Sequence, residues 1–150
     1  MEKNLLLAQF RAITEDITEE ISLLSNASAC MMQLLEDISW VGFYLYKHDN
    51  LILGPFQGKV ACTNIAMNKG VCGTSAYKQE TLVVEDVHKF PGHIACDSAS
   101  NSEIVVPIIV NDALYGVLDV DSTSFARFKE DEKELFEGFV EILVKQLEQL

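Results

Sequence analysis

The hydrophobic residues of this chain change their spacing twice along the sequence, and this change strongly constrains the fold. Near the N-terminus they recur at intervals of three and four, which predicts an amphipathic helix, at Leu6, Phe10, Ile13, Ile17, Ile21 and Leu24. The same spacing returns near the C-terminus, at Phe136, Phe139, Leu143, Leu147 and Leu150. Between these ends, short apolar runs separated by polar turns are typical of strands. The sequence therefore predicts helical ends that bracket a sheet.

Turn residues divide these regions into elements. Asn26-Ala27-Ser28 is predicted to end the first helix and to cap a second, short helix that runs to about Asp37. The strand candidates are residues 40–46, 51–56, 60–65, 81–84, 103–110 and 114–120. Polar turns at 48–50 and 111–112 predict two hairpins, and segments 68–74 and 90–102 are predicted loops. Hairpins imply an antiparallel sheet, so the predicted class is α+β.

Length and charge limit the classes of function. The 150 residues fit one domain, expected to span residues 1–150. Acidic residues outnumber basic ones by 23 to 11, giving a net charge of -12. Such a chain repels phosphates, which argues against nucleic-acid and anionic-membrane partners. No apolar stretch approaches the roughly 20 residues of a membrane span, and no secretory signal is evident. The expected location is the cytoplasm.

The cysteines point to redox chemistry or to buried, inert thiols. The four are Cys30, Cys62, Cys72 and Cys96. A permanent disulfide framework is not expected in the cytoplasm. The absence of a CxxC pair weakens a zinc site built with His88 and His93, so no metal is expected. The last three cysteines belong to the strand-rich middle, where convergence would provide a nucleophilic thiol and its resolving partners.

Acidic residues form a second candidate set. Glu103 begins one hairpin strand, and Asp119 and Asp121 end its partner. Residues two apart on a strand share a face, so the two aspartates should project together, close to Glu103. Clustered carboxyls raise one another's pKa, and one of them can then stay protonated near neutral pH. A calcium site or simple solvated strand ends are alternatives that the pattern leaves open.

Several segments, taken together, resemble a known family. The most specific string is Phe90-Pro91-Gly92-His93-Ile94-Ala95-Cys96-Asp97, and it is accompanied in order by segments at 40–44, 53–58, 70–74, 85–88, 102–107 and 116–122. Together they closely resemble the free methionine-(R)-sulfoxide reductases, which are GAF-domain enzymes. The resemblance implies a single GAF-like domain, with the N- and C-terminal helices packed on one side of a central antiparallel sheet. Active-site loops would lie on the other side.

The resemblance also implies residue roles. Cys96 corresponds to the thiol that attacks the sulfoxide, while Cys62 and Cys72 correspond to the resolving thiols. Pocket positions fall on Trp40, Glu103, Asp119 and Asp121, with a further acid at Glu85 or Asp86. Cys30 has no counterpart and is expected to be a buried helix residue.

The expected activity is reduction of free L-methionine-(R)-sulfoxide. In this hypothesis Cys96 attacks sulfur while a protonated Glu103 or Asp121 polarises the oxygen. The resulting sulfenic acid forms a disulfide with Cys62 or Cys72, and thioredoxin restores the thiols, so no bound cofactor is needed. Trp40 would pack on the methyl group, and the remaining acids would hold the ammonium. The alternative is a non-catalytic GAF sensor. The apolar terminal helices favour a homodimer, although the oligomeric state stays open.

Overall fold

The elements of the chain are known from a computed structural model, which describes residues 2–93 and 99–150. The α-helices of these residues are α1 (Lys3–Thr14), α2 (Glu20–Leu34), α3 (Gly70–Lys78) and α4 (Glu130–Leu147). The strands are β1 (Trp40–Lys47), β2 (Asn50–Gln57), β3 (Asn64–Ala66), β4 (Leu82–Val84), β5 (Ser102–Val110) and β6 (Ala113–Ser122). One turn of 3-10 helix covers Val87–Lys89. No described helix is both long enough and apolar enough to span a membrane.

The strands form one sheet in the order β3-β2-β1-β6-β5-β4, and every pair is antiparallel. Both predicted hairpins are present. Their turns, at His48-Asp49 and Asn111-Asp112, place all four residues at positive φ, between 52° and 63°. Asn and Asp tolerate this backbone region well, and a turn of this kind matches the twist of the paired strands. The predicted α+β class and its antiparallel sheet are confirmed.

One face of the sheet carries the larger apolar core. Alternate strand residues such as Phe43, Ile104 and Leu118 are fully buried there against α1, α2 and α4. Phe10 of α1 and Phe139 of α4 meet with ring centroids 4.6 Å apart. The terminal helices therefore pack on the same side of the sheet, as predicted, and the opposite face is left to α3 and the connecting segments.

The break between the first two helices differs from the prediction. Helix α1 ends at Thr14, and α2 begins only at Glu20. Helix α2 then continues through Ser28, where the break was predicted, to Leu34. The Ser28 hydroxyl caps nothing; it donates to the Leu24 carbonyl, 2.8 Å away, one turn earlier in the same helix. Ile21 is 72% exposed, so the regular spacing there does not mark a buried face.

Two predictions in the middle of the chain are also wrong. The expected strand at 60–65 begins only at Asn64, after a hydrogen bond from the Leu53 N–H to the Thr63 carbonyl, and Val60 is exposed. Segment 68–74, expected as a loop, contains the first half of α3. A Cβ at Gly73 would lie 2.4 Å from the Ala66 carbonyl oxygen, so this glycine allows α3 to pack against β3. Its role is close approach, which glycine-rich composition alone does not distinguish from a flexible loop.

Candidate active site

A cavity opens on the second face of the sheet, where α3 lies over β5 and β6 and β1 forms the opposite wall. Its lining includes the aromatic residues Trp40 and Tyr44, the acids Glu103, Asp119 and Asp121, and Lys69 to Cys72 from the start of α3. His93 and Ser100 also contribute. The structure thus gathers five of the predicted site residues, Trp40, Cys72, Glu103, Asp119 and Asp121, in one place.

A bulge in the β5–β6 hairpin brings the three acids to the cavity face. From the turn outward the pairs are Val110–Ala113 and Ile109–Leu114, but Ile108 then pairs with Gly116. The extra residue shifts the register by one, so that Glu103 lies opposite Asp121. Paired residues of antiparallel strands project to the same face, and a one-residue shift exchanges the faces of a strand. Without this bulge, Glu103 would lie opposite Val120.

The three carboxyls are almost completely withdrawn from solvent, with exposures of 6% to 8%. Burial raises the pKa of Glu103 well above its usual range, and the neighbouring charges of Asp119 and Asp121 raise it further. Burial also raises the pKa of Asp119, although hydrogen bonds from its neighbours oppose that effect. Of these two residues, Glu103 is therefore the one that retains a proton more readily. Asp119 Oδ1 is buried without a hydrogen-bond partner among the described residues.

Cys72 lies in the first turn of α3 and faces the acids. Its Sγ is 3.8 Å from Glu103 Oε2. A helix N-terminus favours a thiolate, but here burial and the surrounding acids dominate and raise the pKa of Cys72 well above its ordinary value. Cys72 is thus a protonated thiol at neutral pH and a weak nucleophile.

The remaining cysteines have different environments. Cys30 and Cys72 are free thiols, whereas Cys62 is disulfide-bonded. Cys62 is partly buried, and its carbonyl accepts a hydrogen bond from the Tyr44 hydroxyl at 2.9 Å. Cys30 is buried in α2 among the helical core, as expected. Cys96 falls within residues 94–98, outside the described residues, so its predicted role stays a prediction.

Trp40 forms an apolar wall of the cavity and is held from three directions. Its Nε1 donates to the Lys59 carbonyl at 3.1 Å. Its ring stacks on Phe56 and Tyr44, with centroid distances of 5.1 and 6.0 Å. A side chain at Gly58 would collide with the indole, because a Cβ there would lie 2.5 Å from Trp40 Cδ1. The ring orientation is therefore fixed before any ligand arrives.

The cavity has a positive side that the sequence interpretation missed. Lys69 precedes α3 at its N-cap position, where the first N–H groups of a helix lack partners within the helix and carry partial positive charge. Lys69, Gly70 and Val71 all line the cavity. Lys69, directly before the apolar start of α3, is the sequence signal for this positive side, but it is overlooked when segment 68–74 is interpreted as a loop. Burial lowers the pKa of His93, which is therefore neutral near pH 7.

Glu85 and Asp86 are not part of this cavity. Glu85 is exposed, and both residues line a separate surface groove next to β4. The Asp86 carboxylate accepts from the backbone N–H of His88 at 3.0 Å and lies 2.9 Å from its Nδ1. These bonds lower the pKa of Asp86 and assign it a local role in shaping the turn.

Comparison with known proteins decides the family. The GAF domain family matches residues 9–147. The free methionine-R-sulfoxide reductase of Escherichia coli is 50% identical over 138 residues, covering 92% of this chain and 84% of that protein. This chain belongs to the GAF-domain free methionine-R-sulfoxide reductase family. The resemblance noted in the sequence is confirmed.

Solved structures of the same family share the fold closely. The reduced form of fRMsr of Staphylococcus aureus superimposes with a TM-score of 0.94 at 50% identity, covering 97% of this chain and 95% of that one. Free methionine-R-sulfoxide reductase of Neisseria meningitidis, in complex with its substrate, gives a TM-score of 0.94 at 40% identity, with coverages of 97% and 88%. The single GAF domain predicted for this reductase family is therefore the fold of this chain.

Proposed function

We propose that this protein reduces free L-methionine-(R)-sulfoxide to methionine by thiol chemistry in the cavity described above. The observation that carries the proposal is the group of three buried carboxyls beneath an aromatic wall, in which burial raises the pKa of Glu103 well above its usual range and so favours its protonated form. A sulfoxide oxygen is a hydrogen-bond acceptor that requires a proton donor when it leaves, and a buried carboxylic acid supplies one. The E. coli and N. meningitidis relatives carry the same activity in their names.

The charges of the cavity suit both ends of a free amino acid. Ionised members of the Asp119–Asp121 pair would hold the substrate ammonium, while Lys69 and the N-terminus of α3 would hold the carboxylate. The indole of Trp40 would pack on the methyl group and select one sulfur configuration. A methionine sulfoxide residue inside a peptide has neither charge, so both polar ends of the cavity would be left unpaired.

The chemical step begins with the thiolate of Cys96, the nucleophile implied by the family resemblance. It attacks the substrate sulfur and forms a sulfur–sulfur bond as Glu103 donates its proton to the oxygen. The protonated oxygen then passes to the Cys96 sulfur, and both the substrate S–O bond and the sulfur–sulfur bond break. Methionine leaves, and Cys96 becomes a sulfenic acid. His93 and Ser100 line the cavity and flank residues 94–98 in the sequence, which is compatible with this role.

Cys62 is the better candidate for the resolving thiol. It is disulfide-bonded, whereas Cys72 is a free, buried thiol whose pKa is raised. Condensation of the Cys62 thiol with the sulfenic acid would form a disulfide and release water. A thioredoxin-type dithiol would then reduce the disulfide, and a cytoplasmic location would supply such a reductant. Cys72 would serve as a hydrogen-bond partner of Glu103.

The test is reduction of free L-methionine-(R)- and (S)-sulfoxide with a dithiol reductant. We expect turnover of the free R form alone. N-acetyl-methionine-(R)-sulfoxide is the control, because it keeps the carboxylate and the sulfoxide but carries a neutral amide in place of the ammonium. Turnover of the acetylated form at an equal rate would contradict ammonium recognition. Absence of turnover with every form would leave the GAF sensor as the function, and thiol titration after sulfoxide addition would then show no loss of thiols.

A further inference from the structure

Three side chains in the cavity have the composition and spacing of a metal site. One ligand atom each from Cys72, Glu103 and Asp119 lies within 4.8 Å of the other two, and all three residues are buried. They come from three different elements, α3, β5 and β6, so their positions are set by the packing of the helix on the sheet. His88 and His93, the histidines considered as zinc ligands in the sequence, are not members of this group.

The distance between the Cys72 sulfur and the nearest Glu103 oxygen suits zinc. Zinc bonds of about 2.3 Å to sulfur and about 2.1 Å to oxygen, at a tetrahedral angle, separate the two ligand atoms by about 3.6 Å. The separation between Cys72 Sγ and Glu103 Oε2 is 3.8 Å. One thiolate with two carboxylates is a borderline ligand set, which favours Zn²⁺ over Mg²⁺ or Ca²⁺ because those cations prefer oxygen alone.

A second observation points to a ligand independently of the spacing. Asp119 is 94% buried, and its Oδ1 has no hydrogen-bond partner among the described residues. An unpaired buried carboxylate oxygen is costly, and a cation would provide the missing partner. Asp121 adds further negative charge to the same cavity wall, and Coulomb attraction to a divalent ion is strong where water is excluded.

We propose that Cys72, Glu103 and Asp119 bind Zn²⁺ or a similar thiophilic divalent cation, and that the bound ion excludes the amino-acid substrate from the cavity. Three protein ligands leave a fourth coordination position open toward the cavity. The ion would occupy the groups that should receive the ammonium and protonate the sulfoxide oxygen. The exclusion of substrate rests on the proposed function, whereas the metal site itself does not.

Cobalt absorption provides the test, because Co²⁺ replaces Zn²⁺ and thiolate coordination gives a near-ultraviolet charge-transfer band. The protein is titrated with Co²⁺ with its disulfide intact, so that Cys62 cannot be a ligand. We expect a saturable band with one equivalent of Co²⁺, abolished by one equivalent of Zn²⁺. Cys72→Ser should remove the band, and Asp119→Asn should weaken Co²⁺ binding about tenfold or more. Cys30→Ser is the matched control and should leave the band unchanged.

The outcomes separate the metal site from the proposed function. No band, or a band that persists in Cys72→Ser, would overturn the site whether or not the protein reduces methionine sulfoxide. Free methionine should lower the apparent affinity for Co²⁺, and an affinity that is independent of methionine would overturn the exclusion of substrate. A band in a protein that reduces no sulfoxide would uphold the metal site and reject the proposed function.

Discussion

Glu103 and Asp121 lie directly opposite each other on β5 and β6, with both carboxyls buried on the cavity face. Two acids so close together cannot both ionise without strong repulsion. Asp119 lies on the same face two residues away, and burial together with the charges of Asp119 and Asp121 raises the pKa of Glu103 well above its usual range, which favours its protonated form. The pairing and the burial thus give Glu103 the raised pKa that the proposed proton donor requires.

Glu103→Gln should therefore slow the chemical step more than it weakens binding. Glutamine keeps the shape and a hydrogen bond but has no acidic proton, so we expect the single-turnover rate at pH 7 to fall about 100-fold. Rapid-quench detection of methionine measures this rate, and the exposed Glu80→Gln is the control. An unchanged rate would exclude Glu103 as the acid and leave Asp121.

The raised pKa of Glu103 also sets the direction in which the single-turnover rate should change with pH. Glu103 must be protonated to act, and its pKa is raised, so the single-turnover rate should fall as the pH rises through that raised value. This alkaline decrease should be absent in Glu103→Gln, whose residual rate should only rise with pH as the attacking thiol ionises. A profile of the same shape for both proteins would show that the decrease belongs to another group.

Asp119→Asn should stabilise the fold while impairing function. The pKa of Asp119 is raised in the folded protein, so unfolding releases protons, and the free energy of unfolding falls as the pH rises above the unfolded value. Removing this charge should raise the free energy of unfolding by about 1 kcal/mol or more at pH 8, and by less at pH 5. Urea denaturation at both pH values is the measurement. A stabilisation by Asp119→Asn that is larger at pH 5 than at pH 8 would contradict a raised pKa of Asp119 in the folded protein.

Substitution of each of the two predicted resolving cysteines, Cys62 and Cys72, should have a different effect on turnover. Cys62→Ser should still release one equivalent of methionine but lose turnover driven by thioredoxin, because the sulfenic acid would have no partner. Cys72→Ser should keep recycling, since its buried thiol is free. Cys30→Ser, altered in the helical core, is the control for general effects. Loss of recycling in Cys72→Ser alone would reverse the assignment.

Gly58→Ala should disturb the aromatic wall. Gly58 has φ of +138°, and an added Cβ would contact Trp40 Cδ1. Gly92→Ala is matched to it: φ is also positive, +75°, but no atom of the described residues lies within 4 Å of the new Cβ. Both variants should lose about 1 kcal/mol of stability to backbone strain, but only Gly58→Ala should change the fluorescence of Trp40, the single tryptophan, and its response to methionine.

Periodicity predicted the helical ends, both hairpins and the antiparallel sheet, because these depend on local spacing and on turn residues. It also predicted that Glu103 would lie near Asp119 and Asp121. It failed where tertiary packing decides the outcome. Helix α3 begins at residues that resemble a loop, because Gly73 is required for contact with Ala66. The positive side formed by Lys69 was consequently missed, and the position of Glu85 outside the cavity follows from the path of the chain after β4.

Strand β6 has one extra residue, Tyr115, between the partners of Ile109 and Ile108. This bulge changes how insertions and deletions in the hairpin should be interpreted. Insertions and deletions near a surface turn are usually tolerated. Here a deletion of one residue in β5 beside the turn, with the β6 bulge kept, would shift the distant half of the hairpin, roughly 17 Å of strand, by one position and would place Glu103 opposite Val120, a residue of the helical core. In this hairpin, residue count is as much a part of the catalytic signature as residue identity.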